Sequence, residues 1–212
     1  MGFSQLVNAK TILTVVFGLM WAGAAIVGGR AMLKYESTPG KVGSVSKWWP
    51  ADSPIQPADD RPTLVMFAHP QCPCTRASVA ELAQLVARIQ SKARVYVLFY
   101  TPRAIGSQWD DTNLRREAAA IPGVKVLSDH DGVEARRLGA ETSGHTFLFA
   151  ADGRLLFNGG ITASRGHSGD NVGESAIVSL IDNQSSERAQ TLVFGCALSN
   201  RGEQQKAALC LR

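Results

Sequence analysis

The chain has 212 residues, 45% of them apolar and 19% charged, with a formal net charge of +4. That is enough for one domain with a substantial core plus some additional segments. Arg76, Arg88, Arg103, Arg115, Arg116, Arg136, Arg137 and Arg165 scatter along the chain and do not cluster with stacking aromatics, which argues against a phosphate-tracking groove, so no nucleic-acid partner is expected.

From Thr11 to Gly29 no side chain is charged. At about 1.5 Å per helical residue this run just crosses a hydrocarbon core of about 30 Å, and no face of it is polar, so it reads as a membrane span and not a core helix. Lys10 before it, Arg30 and Lys34 after it and Trp21 within it favour an uncleaved signal-anchor over a removed signal peptide, for which Ala22-Gly23-Ala24 is a poor cleavage site. Arg30, Lys34, Lys41 and Lys47 all follow the span, so the positive-inside rule points the domain to the cytoplasm. The thiol chemistry below points outside instead, and the expected placement is extracytoplasmic or periplasmic, on a single-pass membrane protein.

Ser37 to Arg61 is rich in Pro, Gly, Ser and Asp and reads as a tether, in which Trp48-Trp49 would rest on the membrane interface or on the domain. The expected organisation is therefore an anchor over 1–36, a linker over 37–61, a domain over 62–184 and a C-terminal extension over 185–212. Within the domain Thr63 to Ala68 is a buried strand, followed by a helix from Thr75 to Gln90 with Val79, Leu82, Val86 and Ile89 on one face. A second strand covers Val95 to Tyr100, then a helix near Thr112 to Ile121 stopped by Pro122-Gly123. A short strand at Val124 to Leu127 and a helix near Val133 to Leu138 lead to a hairpin, Thr146 to Phe149 and Arg154 to Phe157, turning at Asp152-Gly153. The last helix starts at Asn171, with Glu174 as capping-box partner. This order predicts an α/β fold: a mixed sheet with helices on both faces, in the thioredoxin arrangement with an inserted helix and strand.

Cys72-Pro73-Cys74 falls where the first strand gives way to the helix. A thiol in the first turn of a helix has its pKa lowered by unpaired backbone N–H groups, so Cys72, expected to be the better exposed, is the candidate nucleophile. Cys74 is placed to resolve a mixed disulfide, and Pro73 fixes one dihedral and removes a donor. A bridge across one residue bends the backbone sharply, which suits exchange better than bracing.

His69-Pro70-Gln71-Cys72-Pro73-Cys74 after Val65-Met66-Phe67 resembles the membrane-anchored thioredoxin-like thiol-disulfide oxidoreductases of bacterial envelopes, over about Arg61 to Asp182. The hairpin segment from Phe147 to Leu155 and the stretch from Gly159 to Asn171 are similar to a subgroup, the RedB-like proteins. The resemblance implies exchange with protein thiols and disulfides, an electron donor in the membrane or periplasm, and no cofactor. The chain departs from the family in having one residue between its cysteines where two are usual. It also has Gly144 or His145 where a cis-proline lies against the pair, which makes Gly144, His145 and Pro73 candidates for substrate docking. Arg165 and His167, in the loop from Ser164 to Asn171 at the same sheet end, join them as candidate partner or anion contacts, or belong to a plain glycine-rich connection.

A rival reading uses Cys72, Cys74 and His145 or His69 as a soft, low-coordinate site for Cu(I), or with a fourth ligand for zinc, in a copper-binding chaperone. Peroxide reduction by Cys72 would need a hydroxyl three residues upstream, where His69 stands. Cys196 and Cys210 are expected to brace the C-terminal extension as a structural disulfide; alternatively, Cys196 near the active pair would act as a relay thiol.

Overall fold

The computed structural model describes residues 9–103, 109–182 and 189–199. The chain divides into two compact units between Ser37 and Thr38. The first contains α1, Ala9–Ser37, whose 29 residues make it about 44 Å long at 1.5 Å per residue. It is long and apolar enough to cross a membrane, and it stands as a candidate span or signal segment.

The second unit is built on five strands: β1 (Thr63–Ala68), β2 (Arg94–Thr101), β3 (Val124–His130), β4 (Thr146–Phe149) and β5 (Leu155–Gly159). They lie in the order β3-β2-β1-β4-β5, with β1, β2 and β3 parallel and β4 and β5 antiparallel to their neighbours. Helices α2 (Thr75–Ile89), α3 (Asn113–Ala119), α4 (Val133–Leu138) and α5 (Val172–Ile181) complete it. This is a thioredoxin-like mixed sheet. The strand centres match the expected ones; β2 and β3 run one to three residues longer at their ends, because parallel pairing carries the register on from Phe99↔Ser128 to Thr101↔His130.

β1 lies between β2 and β4 and is buried along its whole length, so its side chains alternate between two cores. Leu64, Met66 and Ala68 face the cluster containing α2, α3 and α5, including Leu82, Leu85, Leu114 and Ile177. Val65 and Phe67 face the other, with Phe147, Phe149 and Leu138 of α4. An apolar run unbroken by polar positions is what a strand covered on both faces requires.

Local chemistry sets the element ends. Thr112 caps α3 by accepting the Arg115 N–H at 3.3 Å, and Asn171 caps α5 by accepting the Glu174 N–H at 2.8 Å. At the hairpin turn Gly153 has φ +86°, a conformation that favours glycine.

The stretch 38–61, expected as a free tether, is laced onto the domain. Trp49 N–H donates to Gly153 O at 2.8 Å, Leu155 N–H to Lys47 O at 2.9 Å, and Tyr96 Oη to Gln56 O at 2.9 Å. Trp49 packs edge-on against Phe149, and Ile55 and Ala58 are buried, whereas Trp48 is exposed. Proline and glycine prevented regular structure here without preventing packing, because these backbone groups find partners on the domain.

Candidate active site

Three segments meet at the C-terminal end of β1. The first is the β1–α2 turn, residues 69–74. Backbone bonds from Cys72 N–H to His69 O, 3.1 Å, and from Thr75 N–H to Cys72 O, 3.1 Å, wind it into the start of α2. The second is the turn 142–145 entering β4, tied to β1 by Gly144 N–H donating to Phe67 O at 2.7 Å and Phe67 N–H to His145 O at 2.9 Å. The third is the segment 191–198.

Ser143 joins the first two. Its hydroxyl accepts the His69 N–H at 2.7 Å and shares a 2.5 Å hydrogen bond with Thr75 Oγ1, and both side chains are buried. Gly144 has φ +88°, and a Cβ there would stand 2.8 Å from Ser78 Oγ of α2, so turn and helix pack as closely as glycine allows. The described residues contain no cis peptide bond. Gly144, at positive φ, and His145, directly before β4, are the two residues that stand where the resembled family has a cis-proline.

Cys72, Cys74 and Cys196 gather with all three sulfurs within 4.8 Å of one another. Cys196 Sγ lies 2.8 Å from Cys72 Sγ, and none of the three is in a disulfide. Cys72 was expected to be the better exposed of the pair; it is 3% exposed against 8% for Cys74. The reason is the segment carrying Cys196, which lies across it. Cys72 still borders a shallow cavity of about 220 Å³ between the β1–α2 turn and the start of α3, lined also by Pro73, Arg76 and Leu114.

The electrostatics separate the two sulfurs in contact. Hydrogen bonding from Cys196 is the main cause that brings Cys72 down to about 5, with help from Thr75 and against the effect of burial. Cys196 is pushed up, chiefly by its bond to Cys72 and then by burial. The contact thus favours the thiolate at Cys72 and disfavours it at Cys196.

The expected docking residues divide. Pro73 and His167 are exposed. Gly144 is buried, and His145 is wholly buried, stacked on Phe147 at 4.2 Å between centroids, so a partner cannot touch it. Neither ring nitrogen of His145 has a hydrogen-bond partner among the described residues, and burial lowers its pKa to about 4. Arg165 is turned inward: its Nε donates to Thr38 O at 3.1 Å and its Nη1 to Gly195 O. His167 Nδ1 lies 3.0 Å from Arg165 O.

For the metal reading, no group of three possible ligands among the described residues includes His69 or His145. The Nδ1 of His69 accepts the Gln71 N–H at 3.2 Å, and its ring stacks on Tyr100. The expected Cys196–Cys210 bridge reaches outside the described residues at Cys210. Cys196 itself faces Cys72. Sequence reasoning missed Ser143, Thr75 and the inward role of Arg165; only Thr75, beside the cysteines at the helix start, carried a local signal.

No protein-family model matches the chain, and no curated protein is similar to it in sequence. Solved structures are. An uncharacterized conserved protein from Geobacillus kaustophilus superposes with a TM-score of 0.56 at 17% identity, over 78% of this chain and 93% of that one. A hypothetical protein from Sinorhizobium meliloti 1021 gives 0.57 at 19% identity, over 74% and 97%. A putative thiol:disulfide interchange protein DsbE from Chlorobium tepidum gives 0.47 at 18%, over 65% and 99%. These are likenesses of fold.

Proposed function

We propose that the protein is a thiol-disulfide exchange enzyme in which Cys72 is the nucleophile, held to an extracytoplasmic membrane face by α1. The observation that carries the reading is a thiolate-favouring sulfur at the start of α2, in contact with a second sulfur and within 4.8 Å of a third. The Cys72 thiolate attacks a substrate disulfide, forming a mixed disulfide and expelling one substrate thiolate. The Cys74 thiolate then attacks Cys72 Sγ, so the Cys72–Cys74 bond forms, the mixed disulfide breaks, and the second substrate sulfur leaves as a thiolate that takes a proton from solvent. Two electrons pass to the substrate, and a dithiol protein returns them. Substrates are protein disulfides on the same side of the membrane, as the resemblance to envelope thiol-disulfide oxidoreductases implies. Pro73 and the adjoining cavity are the surface offered to them.

The test uses the full-length chain in detergent, turning over a disulfide-bridged model peptide with a dithiol reductant. Cys72→Ser is expected to lower the rate by about 100-fold or more, since the covalent step is lost. Turnover equal to wild type would sink the reading.

A second reading, binding of Cu(I) or another soft ion, draws on the three gathered sulfurs. At metal–sulfur bonds of about 2.3 Å, two thiolates on one tetrahedral ion stand about 3.8 Å apart. Cys72 and Cys196 stand at 2.8 Å, so the pair would have to move apart by about 1 Å to share such an ion. Titrating the reduced protein with Cu(I), with and without Cys196→Ser, compares the two.

A further inference from the structure

We propose that Cys196 is a second resolving thiol, which displaces a substrate sulfur from Cys72 by forming a Cys72–Cys196 disulfide. The inference rests on the reading of Cys72 as nucleophile and adds to it a residue 124 positions away in the chain.

The segment bearing Cys196 is held in place against the turn 142–145. Ser143 N–H donates to Cys196 O at 2.8 Å and Leu198 N–H to Glu141 O at 2.9 Å, and Thr142 and Ala197 form an antiparallel bridge. Arg165 grips the Gly195 carbonyl from outside. Val193, Phe194 and Leu198 are buried and anchor both flanks, and a Cβ at Gly195 would collide with Ser143 O. The cysteine is thus presented by an irregular segment fixed on either side, and its sulfur reaches Cys72 from far away in the chain. A sulfur so held acts at a high effective concentration.

Geometry also separates the two candidate resolving thiols. A Cys72–Cys74 bond closes a small ring through one residue, Pro73, and has to bend the backbone to form. Cys196 comes from an independent segment, and its sulfur already lies 2.8 Å away. As residues, Cys72 and Cys74 are buried and Cys196 is half-buried.

The step balances without an added oxidant. With Cys72 joined to a substrate sulfur, Cys196 gives up its proton and attacks Cys72 Sγ. The Cys72–Cys196 bond forms, the Cys72–substrate bond breaks, and the substrate leaves as a thiolate that takes up a proton. Two electrons have then moved from Cys72 and Cys196 to the substrate disulfide. Cys74 can next attack Cys72 Sγ, releasing Cys196 as a thiol and moving the disulfide to Cys72–Cys74 with no change in oxidation state.

Glutathione disulfide serves as the probe on the reduced full-length chain in detergent, with alkylation of free thiols and peptide mapping. In Cys74→Ser, and in Cys74→Ala as a second variant, each glutathione disulfide consumed should release two glutathiones, and the Cys72–Cys196 peptide pair should be recovered. In Cys74→Ser/Cys196→Ser one glutathione should leave and one stay on Cys72, lost at least about tenfold more slowly. A lasting Cys72–glutathione adduct in Cys74→Ser and Cys74→Ala, with Cys196 alkylated and wild-type turnover intact, overturns this proposal alone. No reaction at Cys72 in the wild type overturns the exchange reading with it.

Discussion

The β1–α2 join and the segment 191–198 bring sulfur to the same point but are secured differently. The join follows a strand paired on both sides and buried throughout, and it runs into a helix whose Leu82 and Leu85 are fully enclosed. The segment meets a strand, β5, at its start, where Thr191 N–H donates to Asn158 O, and beyond that it hangs on a few backbone hydrogen bonds, the Arg165 clamp and the anchors Val193, Phe194 and Leu198. Cys72 is therefore positioned by the whole fold, whereas Cys196 is positioned by contacts that can open locally. Local openings of this kind require much less free energy than global unfolding. A reaction centre with one rigid and one releasable thiol can admit a substrate without losing its architecture.

The largest effect should come from the rigid side. Phe67→Ala removes a ring that is 1% exposed and packs edge-on against Phe147 at 5.9 Å, and it should cost about 3–5 kcal/mol of stability. Chemical denaturation should show every probe in the second unit unfolding together at lower denaturant, and an unchanged midpoint would contradict the contrast drawn here.

The turn between the two regions should show a pH signature. Burial holds His145 neutral in the fold down to about pH 4, while the unfolded chain takes up its proton near the ordinary value of 6.5. Below about 6.5 the unfolded state binds the extra proton, so stability falls as pH drops toward about 4, by at most about 1.4 kcal/mol per pH unit from this group. His145→Leu should flatten that part of the profile in denaturation series run from pH 7 to pH 4.

Cys196→Ala should act on chemistry more than on stability. Removing the main hydrogen bond to Cys72 should raise its pKa from about 5, and the pH midpoint of thiolate ultraviolet absorbance should move upward. A midpoint that stays put would mean that the helix start alone sets the thiolate.

The smallest effect on global stability, under about 1 kcal/mol, is expected for Arg165→Met, since a half-exposed side chain outside the core is lost. Hydrogen exchange should nevertheless quicken at the Ser143 and Leu198 amides, which bond to and from the segment, and remain unchanged at β1 amides. Equal protection at both places would show that segment and sheet open as one.

The sequence by itself determined most of the rigid region. The unbroken apolar run of β1, the helical spacing of Val79, Leu82 and Ile89, the Asp152-Gly153 turn and the Asn171 cap are local patterns, each dictated by neighbours within a few residues. The same locality placed Cys72 and Cys74 at a helix start. Tertiary structure alone decided the rest: Cys196 against Cys72, Arg165 turned onto Gly195, His145 buried under the turn, and 38–61 laced over the sheet. These depend on backbone hydrogen bonds and close approaches between segments far apart in the chain. A carbonyl or N–H is present at nearly every residue, so nothing in the residue pattern marks which distant group it will meet. The relay role open to Cys196 in the sequence thus became a geometric fact of proximity only once the segment 191–198 had found its place beside Ser143.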